Sequence, residues 1–328
     1  MKVTIKQIAS ESGVSSSTVS RYLNQGYVSD AAAKKIAAVI KKYNYIPNSF
    51  ARNLKAEESS YVGVIIPRMD LPSVMEKLDG IDCELRKHGL QILLINTELD
   101  DQREINSLYS LVQNNVAGII VLSSNVTSEH CSIAKEHSIP IIFVGQNNNH
   151  VYTVGHDNYL AGKQLAEALL SYEHKNITFL GVAEQNIPVG VQRKRGVVET
   201  FEESGVSVQE VQTSFTLNDA YETGLKILKK PESSLYVAAT DQIAAGLYNA
   251  AQELDLAIGK EISIAGFGGY DTSRYLFPLL TTVDFHHRDV GRTVAKLLYD
   301  RINFKEIPKD VKIETSVKIG NSVANLAH

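Results

Sequence analysis

The stretch Gly13-Val14-Ser15-Ser16-Ser17-Thr18-Val19-Ser20-Arg21-Tyr22-Leu23-Asn24 crowds small hydroxyl side chains into the start of a helical pattern. Such residues are poor helix-interior formers, because their hydroxyls compete for backbone groups. Their chemistry suits another task. A helix entering a major groove about 12 Å wide needs a slim first turn able to hydrogen-bond base edges or phosphate oxygens. Ser16, Ser17 and Ser20 meet both conditions, and Arg21, one turn beyond Ser17, can do either. Taken alone, the stretch also reads as an ordinary capped surface helix.

The surrounding elements decide between the two. Ile5, Ile8 and Ala9 share one face of a first helix over 5–12, and Gly13-Val14-Ser15 breaks it. A second helix starts with Ser15 as N-cap and buries Val19, Tyr22 and Leu23. A third runs from a Ser29 cap to about Asn44, with Ile36, Val39, Ile40 and Tyr43 at core spacing. Two helices joined by a glycine-containing turn, the second opening on small polar residues, form a helix-turn-helix pattern. Residues 1–60 carry nine Lys/Arg against four acids, a net +5 in a chain of net −4, so the remainder holds −9. A basic head on an acidic body indicates that the head alone meets a polyanion. The polar stretch after Pro47-Asn48 is too hydrophilic for a core and reads as a linker.

From Tyr61 onward, the apolar runs YVGVII, QILLIN, GIIVLS, PIIFVG, ITFLG, LYVAA and ISIAGF alternate with amphipathic stretches. That alternation predicts an α/β fold of parallel sheets. Its length suits two such sheets, hence two lobes with a ligand cleft at the strand ends. The expected division is a helix-turn-helix at 1–46, a linker at 47–60 and a two-lobed body at 61–328. The first lobe covers about 61–157 and 285–308, the second about 158–284 and 309–328.

Catalysis finds no support. HExxH and GxSxG are absent, and the run Gly155 to Gly162-Lys163 has the wrong glycine spacing for a phosphate loop, with Gln164 where a magnesium-binding hydroxyl belongs. Cys83 and Cys131 read as reduced structural thiols, and His286-His287, with no third ligand spaced to join them, as a solvated pair. Neither metal nor cofactor is expected. With no apolar leader or membrane span, the chain is expected to stay in the cytoplasm. A free-standing sugar-binding protein would lack the basic head.

The residues T-I-K-Q-I-A-S-E-S-G-V-S-S-S-T-V-S-R-Y-L-N at 4–24, V-S at 28–29, Y-I-P-N at 45–48 and A-R-N-L at 51–54 resemble the LacI/GalR family of bacterial transcription regulators. The resemblance implies a repressor whose body has the type I periplasmic-binding fold, working as a homodimer on a palindromic operator. It puts Ser16, Ser17 and Arg21 at base-reading positions and Thr18 and Ser20 at phosphates, with Thr4, Ser15 and Asn24 completing the DNA surface. It makes Asn48, Ala51, Arg52, Leu54 and Lys55 part of a hinge helix that forms only on the operator, with Leu54 wedged into the minor groove. Such a short polar helix is unstable by itself in water. The chain ends without a leucine heptad, so a dimer is expected in place of a tail-linked tetramer.

In the body, the resemblance assigns Arg193 and Asp241 to ligand hydroxyls, and Asp157 at the lobe crossover to hinge or ligand duty. Phe267 lies in the Gly266-Phe267-Gly268 turn, where the family usually has Gly-Tyr-Asp, and Phe285 stands where relatives carry glutamine. Arg68, with Asp70 and Ser73 beside it in IIPRMDLPS, suits a phosphate, since an always-charged forked donor follows the first strand. This stretch is similar to the sucrose-operon repressors of Gram-positive bacteria and to trehalose repressors, which respond to phosphorylated disaccharides. A second arginine of the trehalose repressors falls at Gln146, which favours the sucrose group and an effector such as sucrose 6-phosphate. The rival reading within the family is a global carbon-catabolite regulator that answers to a phosphorylated carrier protein.

Overall fold

The structure, a computed structural model, describes residues 3–23, 26–45, 59–123, 125–145 and 148–326. The chain divides into two compact units, 1–59 and 60–328.

The first unit holds three helices, α1 (Ile5–Ser12), α2 (Ser16–Leu23) and α3 (Asp30–Tyr43). Their ends follow local chemistry. The Thr4 hydroxyl caps α1 by accepting from the Gln7 N–H, and Gly13 ends it in the left-handed region at φ 67°. Ser29 caps α3, and Asn44 ends it, also left-handed. Ile8, Ala9, Val19, Ile36 and Val39 form the core, with Tyr22, Leu23, Ile40 and Tyr43 half-buried around it. Ile5, expected on the buried face, is exposed, since Ile8 and Ala9 already fill the contact at that end.

The second unit has two six-stranded sheets. Its elements in order are β1 (Tyr61–Ile66), α4 (Pro72–Lys87), β2 (Gln91–Asn96), α5 (Asp101–Gln113), β3 (Gly118–Ser123), α6 (Ser128–Glu136), β4 (Ile141–Gly145) and β5 (Tyr152–Gly155). Then come α7 (Asn158–Leu170), β6 (Asn176–Gly181), a π-helical turn (Ile187–Arg193) running into α8 (Lys194–Glu203), β7 (Ser207–Gln212), α9 (Leu217–Leu228), β8 (Leu235–Ala238), α10 (Asp241–Glu253) and β9 (Ser263–Gly268). A short 3-10 turn (Asp271–Tyr275), β10 (Thr281–Asp284), α11 (His287–Ile302), β11 (Asp310–Lys312) and β12 (Ser316–Lys318) complete it.

The strand orders are β11-β5-β4-β3-β1-β2 and β12-β10-β9-β8-β6-β7. All pairs are parallel except β10 with β12. Strands buried on both faces explain the continuous apolar runs: Val62, Val64 and Ile66 pack towards α4 and α11, while Ile65 packs towards α5 on the other side.

The chain crosses between the sheets after β5, after β10 and after β11. The last crossing differs from the expected one: β11 pairs with β5, Asp310 opposite Thr153 and Lys312 opposite Gly155, so the first lobe continues through Lys312 instead of ending at 308. Among the described residues, no helix is long and apolar enough to cross a membrane, and no cluster of three metal-binding side chains occurs.

Candidate functional site

On α2, Ser16, Ser17 and Arg21 are exposed, whereas Thr18 and Ser20 are half-buried. Ser15 caps the helix, its Oγ accepting from the Thr18 N–H at 3.1 Å. The same Oγ lies 2.7 Å from Ser17 Oγ and 2.8 Å from Thr18 Oγ1, so these hydroxyls satisfy one another in the absence of another partner. The following turn returns the Gly26 N–H to the Arg21 carbonyl at 2.9 Å, and Tyr27 beside it is 89% exposed. Nothing in the hydrophobic pattern singled out Tyr27. Asn24, Asn48, Ala51, Arg52, Leu54 and Lys55 lie outside the described residues, as does Gln146 in the body.

In the second unit, a cleft of about 230 Å³ opens between the two sheets' strand ends. Two close helix crossings build it. A Cβ on Gly291 of α11 would lie 2.1 Å from the Lys77 carbonyl oxygen, and one on Gly80 of α4 would lie 2.1 Å from the Arg288 carbonyl oxygen. Only hydrogen fits at these points, and the contact sets Lys77 and His287 on one cleft wall. On the opposite wall, a Cβ on Gly162 of α7 would lie 2.3 Å from the Arg193 carbonyl oxygen. There Arg193 donates from Nη2 to Asn158 Oδ1 at 2.8 Å and from Nη1 to the Ala239 carbonyl at 2.6 Å. Gly162 therefore serves helix packing and not a phosphate loop, and Gln164 accepts from the Thr315 hydroxyl.

Aromatic rings hold the polar groups in place. The Arg193 guanidinium lies over Phe285 at 4.5 Å and Phe267 at 5.0 Å. The His287 ring is stacked with Phe285 at 5.7 Å and with Tyr270 at 5.5 Å. His156 donates to the Phe285 carbonyl from Nε2 at 2.7 Å, which fixes its tautomer.

Arg68, Lys77 and Arg193 line the cleft with His156 and His287, and no carboxylate is among the described lining residues. Burial, aided by the nearby Arg193 charge, brings Lys77 down to about 8. Burial lowers Arg193 to about 10, still charged at neutral pH. Burial and the Lys77 charge lower His156 to about 3, and the same causes take His287 well below the usual histidine range. Both imidazoles are therefore neutral near pH 7.

Of the residues anticipated for the effector, Arg68, Ser73, Arg193 and Phe285 line the cleft. The others take different positions. Asp70 is exposed and forms a forked pair with Arg68, from whose Nε it accepts at 2.7 Å. Asp157 is an exposed N-cap, accepting from the Leu160 N–H at 2.9 Å. Asp241 does not line the cleft: its carboxylate is enclosed by the Gly269 N–H at 2.8 Å and the hydroxyls of Ser273 at 2.7 Å and Thr282 at 2.6 Å. Burial pushes its pKa up against these donors. Phe267 is buried beneath Arg193 instead of facing the cleft. His287, expected to be solvated, is 7% exposed.

Lys77, His156, Asn158, Tyr270, Gln242 and His287 were not anticipated as lining residues. A signal existed for Lys77, which lies four residues after Ser73 and so shares its helix face. Asn158 and Gln242 immediately follow the anticipated Asp157 and Asp241, one helical step further round.

A three-helix unit with an exposed hydroxyl-rich second helix, joined in one chain to a two-lobed body with an interlobe ligand cleft, defines a ligand-responsive DNA-binding regulator. Residues 4–48 match the model for bacterial regulatory proteins of the lacI family, and residues 59–321 that for periplasmic binding proteins and the sugar-binding domain of the LacI family. The chain is similar to the sucrose operon repressor of Staphylococcus xylosus, at 31% identity over 97% of this chain and 99% of that one. It is also similar to catabolite control protein A of Priestia megaterium, at 29% identity over 95% and 96%. A solved LacI-family transcriptional regulator from Silicibacter pomeroyi superposes with a TM-score of 0.86 at 26% identity, covering 98% of this chain and 99% of that one. The protein belongs to the LacI family: it is a DNA-binding transcriptional repressor whose larger unit is the family's sugar-binding domain.

Proposed function

We propose that the protein represses a sugar-utilisation operon from a palindromic operator, as a homodimer, and is released by a phosphorylated disaccharide such as sucrose 6-phosphate. The observation that carries the effector reading is the set of cleft charges: three cations, two neutral histidines and no carboxylate among the described lining residues. A neutral sugar is best gripped by groups that both donate and accept, whereas a cation-rich cleft without acids suits an anion. Similarity to a sucrose operon repressor points the same way.

On the operator side, Ser16, Ser17 and Arg21 would read bases, and Thr4, Ser15, Thr18 and Ser20 would contact phosphates. Asn24, Asn48, Ala51, Arg52, Leu54 and Lys55 would extend the surface, with Leu54 as the minor-groove wedge. Replacing Leu54 with Ser should weaken operator binding strongly and leave effector binding intact. The homodimer is supported by an exposed apolar surface around Tyr275, Phe277 and Leu279 in the second unit, with Phe277 93% exposed.

Release requires that the effector bind one lobe arrangement better than the other. Contacts that depend on the arrangement exist beside the cleft. The Asp271 N–H donates to Glu76 Oε1 at 3.0 Å, and Arg288 joins Asp271 at 2.7 Å and Asp79 at 2.8 Å.

The test is a thermal titration with sucrose 6-phosphate, trehalose 6-phosphate, glucose 6-phosphate and sucrose, followed by operator release with any ligand that binds. At about a hundred times its dissociation constant, the effector should add about 2.7 kcal/mol of stability. If none of these stabilises the protein and a phosphorylated carrier protein tightens operator binding, the catabolite-regulator reading replaces this one.

A further inference from the structure

We propose that the effector's phosphoryl group is held on the buried side of the cleft by Lys77, His287 and the Nε of Arg193, and that the Arg68–Asp70 pair on the exposed side does not carry it. The inference rests on the sugar-phosphate reading above and assigns the acid group a place that neither the sequence nor the family resemblance suggested.

The first argument is unsatisfied polarity. Among the described residues, four buried side-chain polar atoms lack a hydrogen-bond partner: Arg193 Nε, both ring nitrogens of His287, and Tyr236 Oη. Three of the four belong to residues that line this one cleft. Arg193 and His287 are each 7% exposed, so solvent does not offset the loss. Unpartnered polar atoms in a protein interior are costly, and their concentration in a ligand cleft marks groups waiting for a ligand.

The second argument is charge. Lys77 forms no ion pair among the described residues, and its amine lies in the field of Arg193. The Glu76 carboxylate opposes the Arg193 charge at Lys77 and Asp241 acts on Arg193, but neither is among the described lining residues, so within the cleft the cations are left to pull on an anion, more strongly for being buried. Arg68 is the reverse case. Asp70 already occupies its fork, and the pair faces solvent, with side-chain exposures of 31% and 61%. An incoming phosphoryl at Arg68 would have to displace a carboxylate or sit beside it, whereas no carboxylate among the described residues is paired with Lys77.

The third argument is donor count. Lys77 and Arg193 offer only donors, and the neutral His287 ring offers one N–H. A sugar hydroxyl presented to this set would find one acceptor, the bare His287 nitrogen, against several donors, whereas three phosphoryl oxygens meet those donors with lone pairs. Stacking with Phe285 and Tyr270 holds the His287 ring in place. The Gly80–Gly291 crossing holds Lys77 and His287 on one wall, so the donors are ordered before the ligand arrives.

The experiment is calorimetric titration of the full-length protein with sucrose 6-phosphate, sucrose and inorganic phosphate, for wild type and for Lys77→Met, His287→Phe and Arg68→Met. Urea midpoints check that each variant is folded; His287→Phe should not lower them, because it removes buried polar atoms without a partner, and neither should Lys77→Met, because Lys77 forms no ion pair among the described residues. Wild type should favour the phosphorylated over the plain sugar. Lys77→Met should reduce that preference on the order of 100-fold, the scale for removing a buried charged partner. His287→Phe should reduce it on the order of 10-fold, as for a single hydrogen bond to a charged group. Arg68→Met should change it by less than about 3-fold, as for an exposed pair. A preference lost in Arg68→Met, whether or not Lys77→Met also loses it, overturns the assignment and leaves the sugar-phosphate reading standing. A wild type that binds sucrose 6-phosphate no better than sucrose, or binds none of the three probes, overturns that reading and the subsite with it.

Discussion

The hydroxyl-rich helix and the interlobe cleft both present polar groups to a ligand, in opposite ways. On α2 the groups fall within Ser16–Arg21, lie at the surface, and include hydroxyls that bond to one another. In the cleft they come from segments between Arg68 and His287, are buried or half-buried, and include nitrogens with no partner among the described residues. A reader of a hydrated polyanion can keep its groups solvated until contact, at little cost to the fold. A receptor for a small ligand must order its donors beforehand in a water-poor site, at a cost to the fold.

This contrast can be broken first at Asp241. If its carboxylate serves the fold and not the ligand, Asp241→Ala should lower unfolding stability by about 3 kcal/mol in urea titrations, because three donors, two of them buried, lose their acceptor. A fully stable variant with weakened effector binding would return Asp241 to the cleft. On the helix, Arg21→Met should weaken operator binding by about 10- to 100-fold in fluorescence anisotropy at fixed salt, with the thermal response to effector unchanged.

The two cleft histidines, His287 buried and His156 half-buried, give a pH signature that the exposed helix cannot. The folded state lowers both pKa values, so the unfolded chain takes up protons first as the pH falls below about 6.5. Stability is full above that point and is lost towards about 3 for His156. The slope approaches about 1.4 kcal/mol per pH unit for each histidine. Urea midpoints measured between pH 7 and pH 5 should fall more steeply in wild type than in His156→Gln; parallel curves would deny the neutral imidazole. The smallest effect is at Asp157, where loss of the helix cap in Asp157→Ala should cost about 1 kcal/mol without altering effector affinity. A tenfold change in that affinity would make Asp157 a ligand residue after all.

The site was legible where its parts are neighbours in the chain. The Ser15 and Ser29 caps, the Gly13 break and the exposure of Ser16, Ser17 and Arg21 all follow from spacing within one or two turns, whereas the Thr4 cap emerged only with the fold. The strong central strands were equally plain, since burial on both faces makes them apolar throughout. The edge strand β7, mostly exposed, and the three-residue β11 and β12 carry too little pattern to be read. In the cleft, the family resemblance points to Asp157 and Asp241, each at a helix start, while their neighbours Asn158 and Gln242 line the ligand space. One step along a helix turns a side chain by about 100°, and only packing decides which step points inward.

The sequence by itself determined a basic three-helix head, an acidic α/β body and membership of a regulator family, because charge, periodicity and capping are local properties. Only the tertiary structure decided that Lys77 stands beside His287, that Arg193 lies over Phe285, and that Asp241 faces away from the cleft. The first depends on a helix crossing where glycines admit backbone contact between residues about 210 positions apart, the second on Gly162 packed against the Arg193 backbone, and the third on the donors of the segment from Gly269 to Thr282. Spacing along a chain carries no record of such contacts, since the close approach is fixed by volumes on both helices at once.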